Sequence, residues 1–139
     1  MAITQCITNI FKQKILDGSH DAADTFKIAL YTSSATLDAT TAAYTETNEV
    51  TGTGYTAGGA TLSGFSGTLS GSTGVLDWAD PSWTTSTITA RGALIYNSTD
   101  STTVMVLDFG SDKSSSGGTF TVVFPVADAS TGLIRVAAA

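Results

Sequence analysis

The sequence is poor in charge, and most of the charge that it has is acidic. Only 13% of its 139 residues are Asp, Glu, Lys or Arg, which is about half the share found in an ordinary soluble domain. Twelve acidic residues outweigh six basic ones, so the formal net charge at pH 7 is −6. The basic residues are scattered and form no patch that could bind a phosphate backbone, which disfavours nucleic acid as a partner.

Cysteine, histidine and long apolar runs are also scarce. The one cysteine, Cys6, excludes a disulfide within the chain, and with the one histidine, His20, it excludes a zinc site built from Cys and His. No apolar run approaches the roughly 20 residues of a membrane helix, and the first residues do not resemble a signal peptide. We therefore expect a protein that is made and folded in a cytosol, with no membrane contact and no cofactor.

Ser and Thr supply most of the polar surface, together with 14 glycines. This composition suits β-structure and close packing between subunits, because Ser and Thr can hydrogen-bond across an interface whereas charges are costly to desolvate there. The length and the 42% hydrophobic content predict one folded domain, 1–139, with a core of its own.

One segment has the pattern of an amphipathic helix, and we predict this helix over 3–17. Its apolar residues follow helical spacing and form one stripe, and Gly18 stands where the helix would end. The stripe consists of Ile3, Ile7, Ile10, Phe11 and Ile15. We expect it to cap one end of the fold. The alternative is that it docks on a neighbouring subunit, and for this reason Ile3 and Ile7 are candidate interface residues.

The rest of the chain, 25–136, is typical of short β-strands separated by turns. The runs with strand character are 25–32, 55–62, 63–74, 75–78, 84–96, 103–109, 119–124 and 132–136. Residues 33–45 are expected to form a surface loop anchored by Leu37 and Tyr44, and a Ser/Gly loop is expected between 109 and 119. The prediction is an all-β fold: a jelly-roll-like β-sandwich of about eight short antiparallel strands with one N-terminal helix.

No pattern of residues predicts a catalytic site. Ser19, His20 and Asp21 are neighbours on one short turn, where they cannot adopt the geometry of a triad. Asp77 and Asp80 flank Trp78, an arrangement of acids and an aromatic ring that suits a carbohydrate site, but Asp-Pro-Ser is also ordinary turn chemistry, which we favour. The chain is predicted not to be an enzyme.

A calcium site at the ends of strands is the next alternative, and it is slightly more plausible than a sugar-processing site. Asp100, Asp108 and Asp112 could join loop oxygens there, but the sequence has no Asp-x-Asp-x-Asp-Gly loop, so we predict no metal.

Arg91 and Trp83 are the side chains most suited to an interface. Arg91 lies within a predicted strand, where it either pairs with a carboxylate of the same chain or reaches a partner. Trp83 either contacts a partner or plugs the end of the sandwich, which we favour. Tyr55, which follows a Gly-rich turn, completes the set of candidate interface residues.

Three segments of the chain form a recognisable set by their order and spacing. They are 14–18 (Lys-Ile-Leu-Asp-Gly) with 26–32, then 48–55 (Asn-Glu-Val-Thr-Gly-Thr-Gly-Tyr), and 83–96 with its Ile-Thr-Ala-Arg-Gly-Ala-Leu-Ile-Tyr run. As a set, they resemble a family of small virion proteins of tailed bacteriophages. Members of that family are described as decoration or cement proteins of the capsid, or as tail-fibre-like proteins.

The resemblance implies a structural protein with no enzymatic activity, made in the host cytoplasm and carried on the capsid exterior. Its partner would be the major capsid protein, which it would bind on the assembled shell and stabilise, as a homo-oligomer. A module associated with the tail or a fibre is the first alternative. A carbohydrate-binding module, suggested by the Trp78/Trp83 and Asp77/Asp80 cluster, is the second.

Overall fold

The computed structural model describes residues 2–137, in which eight strands and one helix form. In chain order they are β1 (Cys6–Ile7), α1 (Asn9–Leu16), β2 (Phe26–Tyr31), β3 (Ala60–Thr61), β4 (Ser66–Ser70), β5 (Thr73–Asp77), β6 (Ser82–Asn97), β7 (Thr102–Thr121) and β8 (Ile134–Val136). All the strand pairs are antiparallel. The prediction of an all-β fold with about eight antiparallel strands and an N-terminal helix is confirmed.

Two sheets build a sandwich-like body. The larger sheet has the order β1-β7-β6-β2-β3 and the smaller has the order β4-β5-β8. The main core lies between them, and includes Ile28 and Ile95 from the larger sheet and Ile134 from the smaller one. The centre of the larger sheet is the pairing of β2 with β6, which runs from Phe26 opposite Asn97 to Tyr31 opposite Gly92.

Strand β2 is buried on both of its faces. Phe26, Ile28 and Leu30 point into the main core, as their alternation predicts. Ala29 and Tyr31 point the other way, into a second apolar cluster that Leu37 and Leu94 share. The segment 33–45 covers this second face: Leu37 is only 1% exposed and Tyr44 packs against the cluster. The predicted surface loop therefore covers the sheet as a lid. Its two expected anchors, Leu37 and Tyr44, hold it there.

The helix prediction was too long at its N-terminal end. Residues 3–8 are extended: Ile3 forms a bridge with Leu37, and Cys6–Ile7 pair with β7. The buried Thr8 hydroxyl donates to backbone oxygens of β7, and the helix begins only after it. Spacing alone missed this, because a short helix in isolation is marginal and tertiary pairing overrides it. Within α1 only Phe11 is fully buried, in the main core, which agrees with the capping interpretation.

The expected Ser/Gly loop between 109 and 119 lies inside β7, which runs on to Thr121. It is accommodated by a large irregularity in register: Gly92 pairs with Asp108, but Ala90 pairs with Lys113, so the intervening β7 residues bulge outward. Turn chemistry is compatible with such a bulge, and pairing with the long neighbouring strand β6 keeps the chain extended on both sides of it.

The predicted strand at 55–62 shrinks to Ala60–Thr61. Gly52, Gly54, Gly58 and Gly59 all have positive φ angles, which bend the chain away from extended pairing. Gly59 is the tightest of them: a Cβ added there would lie 1.8 Å from the carbonyl oxygen of Ile28. The backbone of this segment must therefore pass directly over β2, and only glycine permits it.

Substituting Gly59 with Ala should destabilise the fold by about 3 kcal/mol or more, because the new methyl group collides with backbone. Gly71→Ala is the matched control, since Gly71 also has a positive φ (63°, against 77° for Gly59) but has no atom within 4 Å of its added Cβ. It should lose only about 1 kcal/mol, the conformational part. Chemical denaturation of both variants measures the difference, and equal losses would contradict the close approach at Gly59.

Candidate functional site

Arg91, the predicted charge within a strand, forms an ion pair inside the chain. Its Nε lies 3.1 Å from Oδ1 of Asp108, across the β6–β7 pairing at the point where the bulge begins. The backbone N–H of Gly110 donates to the same carboxylate oxygen. This N–H first, and Arg91 second, lower the pKa of Asp108. Arg91 is thus held in place by the sheet, and its role toward a partner stays a prediction.

Trp83 is buried and plugs one end of the main core. Its ring packs 6.0 Å from that of Tyr55 and 6.1 Å from that of Phe120, measured between centroids. Trp78 is buried as well, among Phe26 and Phe65. Neither indole offers an open face to a sugar ring, which was the feature that suggested a carbohydrate module.

The two isoleucines predicted for an interface lie in different places. Ile3 is buried in the second apolar cluster beneath the 33–45 lid. Ile7 is half-buried on β1, packed against the main core, and lines a groove described below. The structure therefore does not bring the five candidate interface residues together into one surface.

The carboxylates predicted as candidates for a carbohydrate or calcium site bond to groups of the same chain. Asp77 accepts from the backbone N–H of Trp78, and Asp80 from that of Phe124. Asp100, in the β6–β7 turn, lies 3.4 Å from the Lys14 ammonium. Within residues 2–137 no three His, Cys, Asp or Glu side chains lie close enough to hold a metal ion. In the same part of the chain no helix is long and apolar enough to cross a membrane.

His20 lies in a half-buried position between two aromatic rings. Its ring centroid is 5.4 Å from that of Phe11 and 5.6 Å from that of Phe26. Nδ1 lies 2.9 Å from the Asn97 side-chain amide, which also donates to Asp24. Burial lowers the pKa of His20, although Asp100 and Asp24 act in the opposite direction. In its neutral form, His20 packs between Phe11 of α1 and Phe26 of β2, and so holds α1 and the turn after it against the end of the sheet.

A buried carboxylate, Glu49, is the centre of a polar network that was not predicted from the sequence. The hydroxyls of Tyr44 and Tyr55 each donate to Glu49 at 2.6 Å, and the backbone N–H of Gly58 donates at 2.8 Å. Tyr96 on β6 donates to the carbonyl of Gly58 at 2.7 Å. The network ties the 44–59 segment to the sheet beneath it.

The tyrosines of this network are held in their protonated form. Burial raises the pKa of Tyr55, and its hydrogen bond to Glu49 raises it further. The same two causes raise the pKa of Tyr44. The Tyr55 hydroxyl also accepts the N–H of Leu30 at 2.8 Å, at the edge of β2 that short β3 leaves open. A single hydroxyl thus links a strand amide to the buried carboxylate. No local spacing of Tyr and Glu could have revealed this arrangement.

A groove opens between the two sheets on the β7 side, and we refer to it as the edge groove. Its main part encloses about 710 Å³. Met105, Leu107, Phe109, Phe120 and Leu133 supply apolar walls. A second part of about 530 Å³ continues past Cys6 and Ile7 and shares Met105, Leu133 and Arg135 with the first. The groove exists because β1 covers only two residues of the outer edge of β7.

Cations dominate the charge of the edge groove, although the whole chain is acidic. Lys113 and Arg135 line it, and neither forms an ion pair with a carboxylate among residues 2–137. Its acidic residue, Asp108, is neutralised by Arg91. Arg135 donates to the carbonyls of Ala129 and Ser130, which fixes its guanidinium at the rim. A groove with apolar and polar walls and two cations outside any ion pair suits an extended segment that carries both apolar and acidic side chains.

No family model matches the chain, and no curated protein or solved structure matches it either. Membership of the phage virion family therefore stays a prediction from sequence motifs.

Removing the Tyr55 hydroxyl should destabilise the fold by about 1–3 kcal/mol, because it leaves both the Leu30 N–H and one bond of Glu49 unsatisfied. The variant is Tyr55→Phe, and Tyr44→Phe is its matched control, since the Tyr44 hydroxyl serves Glu49 alone. Urea denaturation should place the loss for Tyr44→Phe below that for Tyr55→Phe. The reverse order would contradict the bridging role of Tyr55.

The stability of the fold should fall between about pH 7 and 5.5 through His20, whose ordinary pKa is about 6.5. Because the folded pKa is lowered, the unfolded chain binds a proton in this range that the folded chain does not, so acid favours unfolding. His20→Gln cannot titrate and should show a flatter profile of unfolding free energy against pH. Parallel profiles for the two proteins would show that His20 is not held neutral.

Proposed function

We propose that this chain is a capsid decoration, or cement, protein of a tailed bacteriophage, which binds the outer surface of the assembled shell and stabilises it. The observation that carries the proposal is how the three segments resembling the phage family meet in space. Residues 26–31 form β2, and 83–96 lie within β6, its partner along the whole length of β2. The 48–55 segment contributes Val50, whose N–H donates to the Leu30 carbonyl at 2.9 Å, and Tyr55.

Residues 26–31, 48–55 and 83–96 therefore form one block, made of the centre of the larger sheet and the segment that covers its edge, while residues 14–18 lie at the end of α1 and in the turn after it. The block is the centre of the fold, so most of the segments that carry the resemblance are ones that hold the body together. A rigid body that acts by binding, without catalysis or a cofactor, is what a cement protein requires. It stabilises the shell by binding the assembled form in preference to free subunits.

The edge groove is the surface that we assign to the shell. Its two unpaired cations would meet an acidic, partly apolar segment of the major capsid protein, whereas the remaining surface of a chain with net charge −6 would repel such a segment. Each contact is of modest size. Many copies in a homo-oligomer on one shell would add their contacts through effective concentration.

Reversing one groove charge should weaken binding to assembled shells by about tenfold or more at low salt, with a smaller effect at high salt. The variant is Lys113→Glu. Lys12→Glu is its control, because Lys12 is equally exposed on α1 and the change in net charge is the same. Co-sedimentation with purified shells, and with free capsid subunits, gives the affinities. Equal losses for both variants would reject the groove as the contact surface.

The number of copies in the particle separates decoration from the tail alternative. Quantitative gel analysis of virions should find hundreds of copies of this chain per particle. A handful of copies would instead place it in the tail or a fibre, and would overturn the proposal.

A further inference from the structure

Four strands lie at the edges of the two sheets, and three of them are too short to recruit another strand effectively. An edge strand exposes unpaired N–H and C=O groups, and proteins usually blunt such edges with shortness, charge, proline or a bulge. Strands β1 and β3 have two residues each, and β8 has three residues, one of them Arg135. The uncovered stretch of β7 carries Asp112, Lys113 and the bulge.

Strand β4 has none of these protections. It is five residues long, Ser66–Ser70, and four of the five are exposed. It contains no charge and no proline, and its pairing with β5 runs in unbroken register from Ser66 opposite Asp77 to Ser70 opposite Thr73. In the described part of the chain, its outer edge forms no backbone hydrogen bond to another segment.

An apolar row leads to this edge. Leu69 lies opposite Gly74, and Gly74 lies opposite Val136, so the three share one face of the smaller sheet. Leu69 is 77% exposed and Val136 is 60% exposed. Large apolar side chains that are this exposed are normally covered by a partner when the strand edge beside them is paired.

The distribution of charge along the chain limits which partner can cover the outer edge of β4. The chain has no charged residue from Val50 to Leu76, a stretch that includes all of β4. Two copies of a protein with net charge −6 repel each other, and β4 itself brings no charge to a contact, the nearest carboxylate along its pairing being Asp77, opposite Ser66 at one end of the strand. A charged partner would gain nothing from such a surface, whereas a second copy of the same neutral edge complements it.

We infer that β4 pairs antiparallel with β4 of a second copy of this chain, about a twofold axis, so that the two smaller sheets become one continuous sheet. Antiparallel pairing of a strand with itself is isologous, and each copy supplies the same hydrogen-bonding groups. The two Leu69 side chains then lie on one face, in diagonal positions that long side chains can bridge. This pairing needs no shell, so it holds or fails independently of the proposed function.

The pairing is weak in isolation. Stable dimers bury roughly 1,200–2,000 Å², and a five-residue edge with two leucines buries less than that. We therefore expect a weak monomer–dimer equilibrium, as for small interfaces. Association on a surface that holds many copies would raise the dimer fraction.

Sedimentation velocity of the full chain from about 10 μM to 1 mM tests the inference. The wild type should shift from monomer to dimer, and Leu69→Lys should weaken the association at least about tenfold because it opposes like charges. Leu16→Lys is the matched control: Leu16 is 88% exposed on α1, and the added charge is the same. It should dimerise as the wild type does. Circular dichroism confirms that each variant is folded.

A charge-swap experiment separates edge pairing from a general effect of substitution. Leu69→Lys and Leu69→Asp should each be monomeric, and an equimolar mixture of the two at low salt should form a heterodimer. A wild type that stays monomeric at 1 mM would overturn the inference, as would a mixture of the two variants that stays monomeric. Equal weakening by Leu69→Lys and Leu16→Lys would overturn it too.

Discussion

The structure depends on one buried carboxylate. Glu49 receives two tyrosine hydroxyls and a backbone N–H, and through them the 44–59 segment is fixed against β2. Without this attachment, the outer edge of β2 would lose its cover wherever β3 is absent, and the Leu30 N–H would have no partner. Burying a carboxylate costs free energy unless it is hydrogen-bonded, and Glu49 accepts three hydrogen bonds. These bonds also hold the loops together, because each donor lies in a different part of the 44–59 segment.

The strands were predictable where alternation and β-branched residues coincide, as in β2, β6 and the first half of β7. Prediction failed where contacts distant in sequence decide. Residues 3–8 have helical spacing, but Cys6–Ile7 pair with β7, about 100 residues away, and Ile3 forms a bridge with Leu37. The Ser/Gly run stays in a strand because β6 lies beside it. The residues of the candidate site were harder to predict than the strands. The Glu49 network and the edge groove join residues with no common spacing, whereas the ion pair of Arg91 was one of the two alternatives that a charge within a strand suggested.

The interacting surfaces proposed for this protein are separate from the frame that makes it rigid. The centre of the larger sheet is buried, and so is Glu49, which holds the 44–59 segment over it, whereas the edge groove lies on the β7 side and β4 lies at the free edge of the smaller sheet. One surface is cationic and the other is neutral, so they select different partners. A body with two such surfaces can contact a larger assembly and a copy of itself at the same time, without changing its own conformation.

The position of β1 beside β7 has a consequence for biosynthesis. Strand β1 pairs with Met105 and Val106, and β2 pairs with β6, so during synthesis each of them waits for a partner that lies far downstream in the chain. The β6–β7 hairpin, by contrast, closes through a short turn and can form as soon as it emerges. The β6–β7 pairing can therefore form before β1 joins it, so β1 is made well before the partner that gives it its place in the sheet.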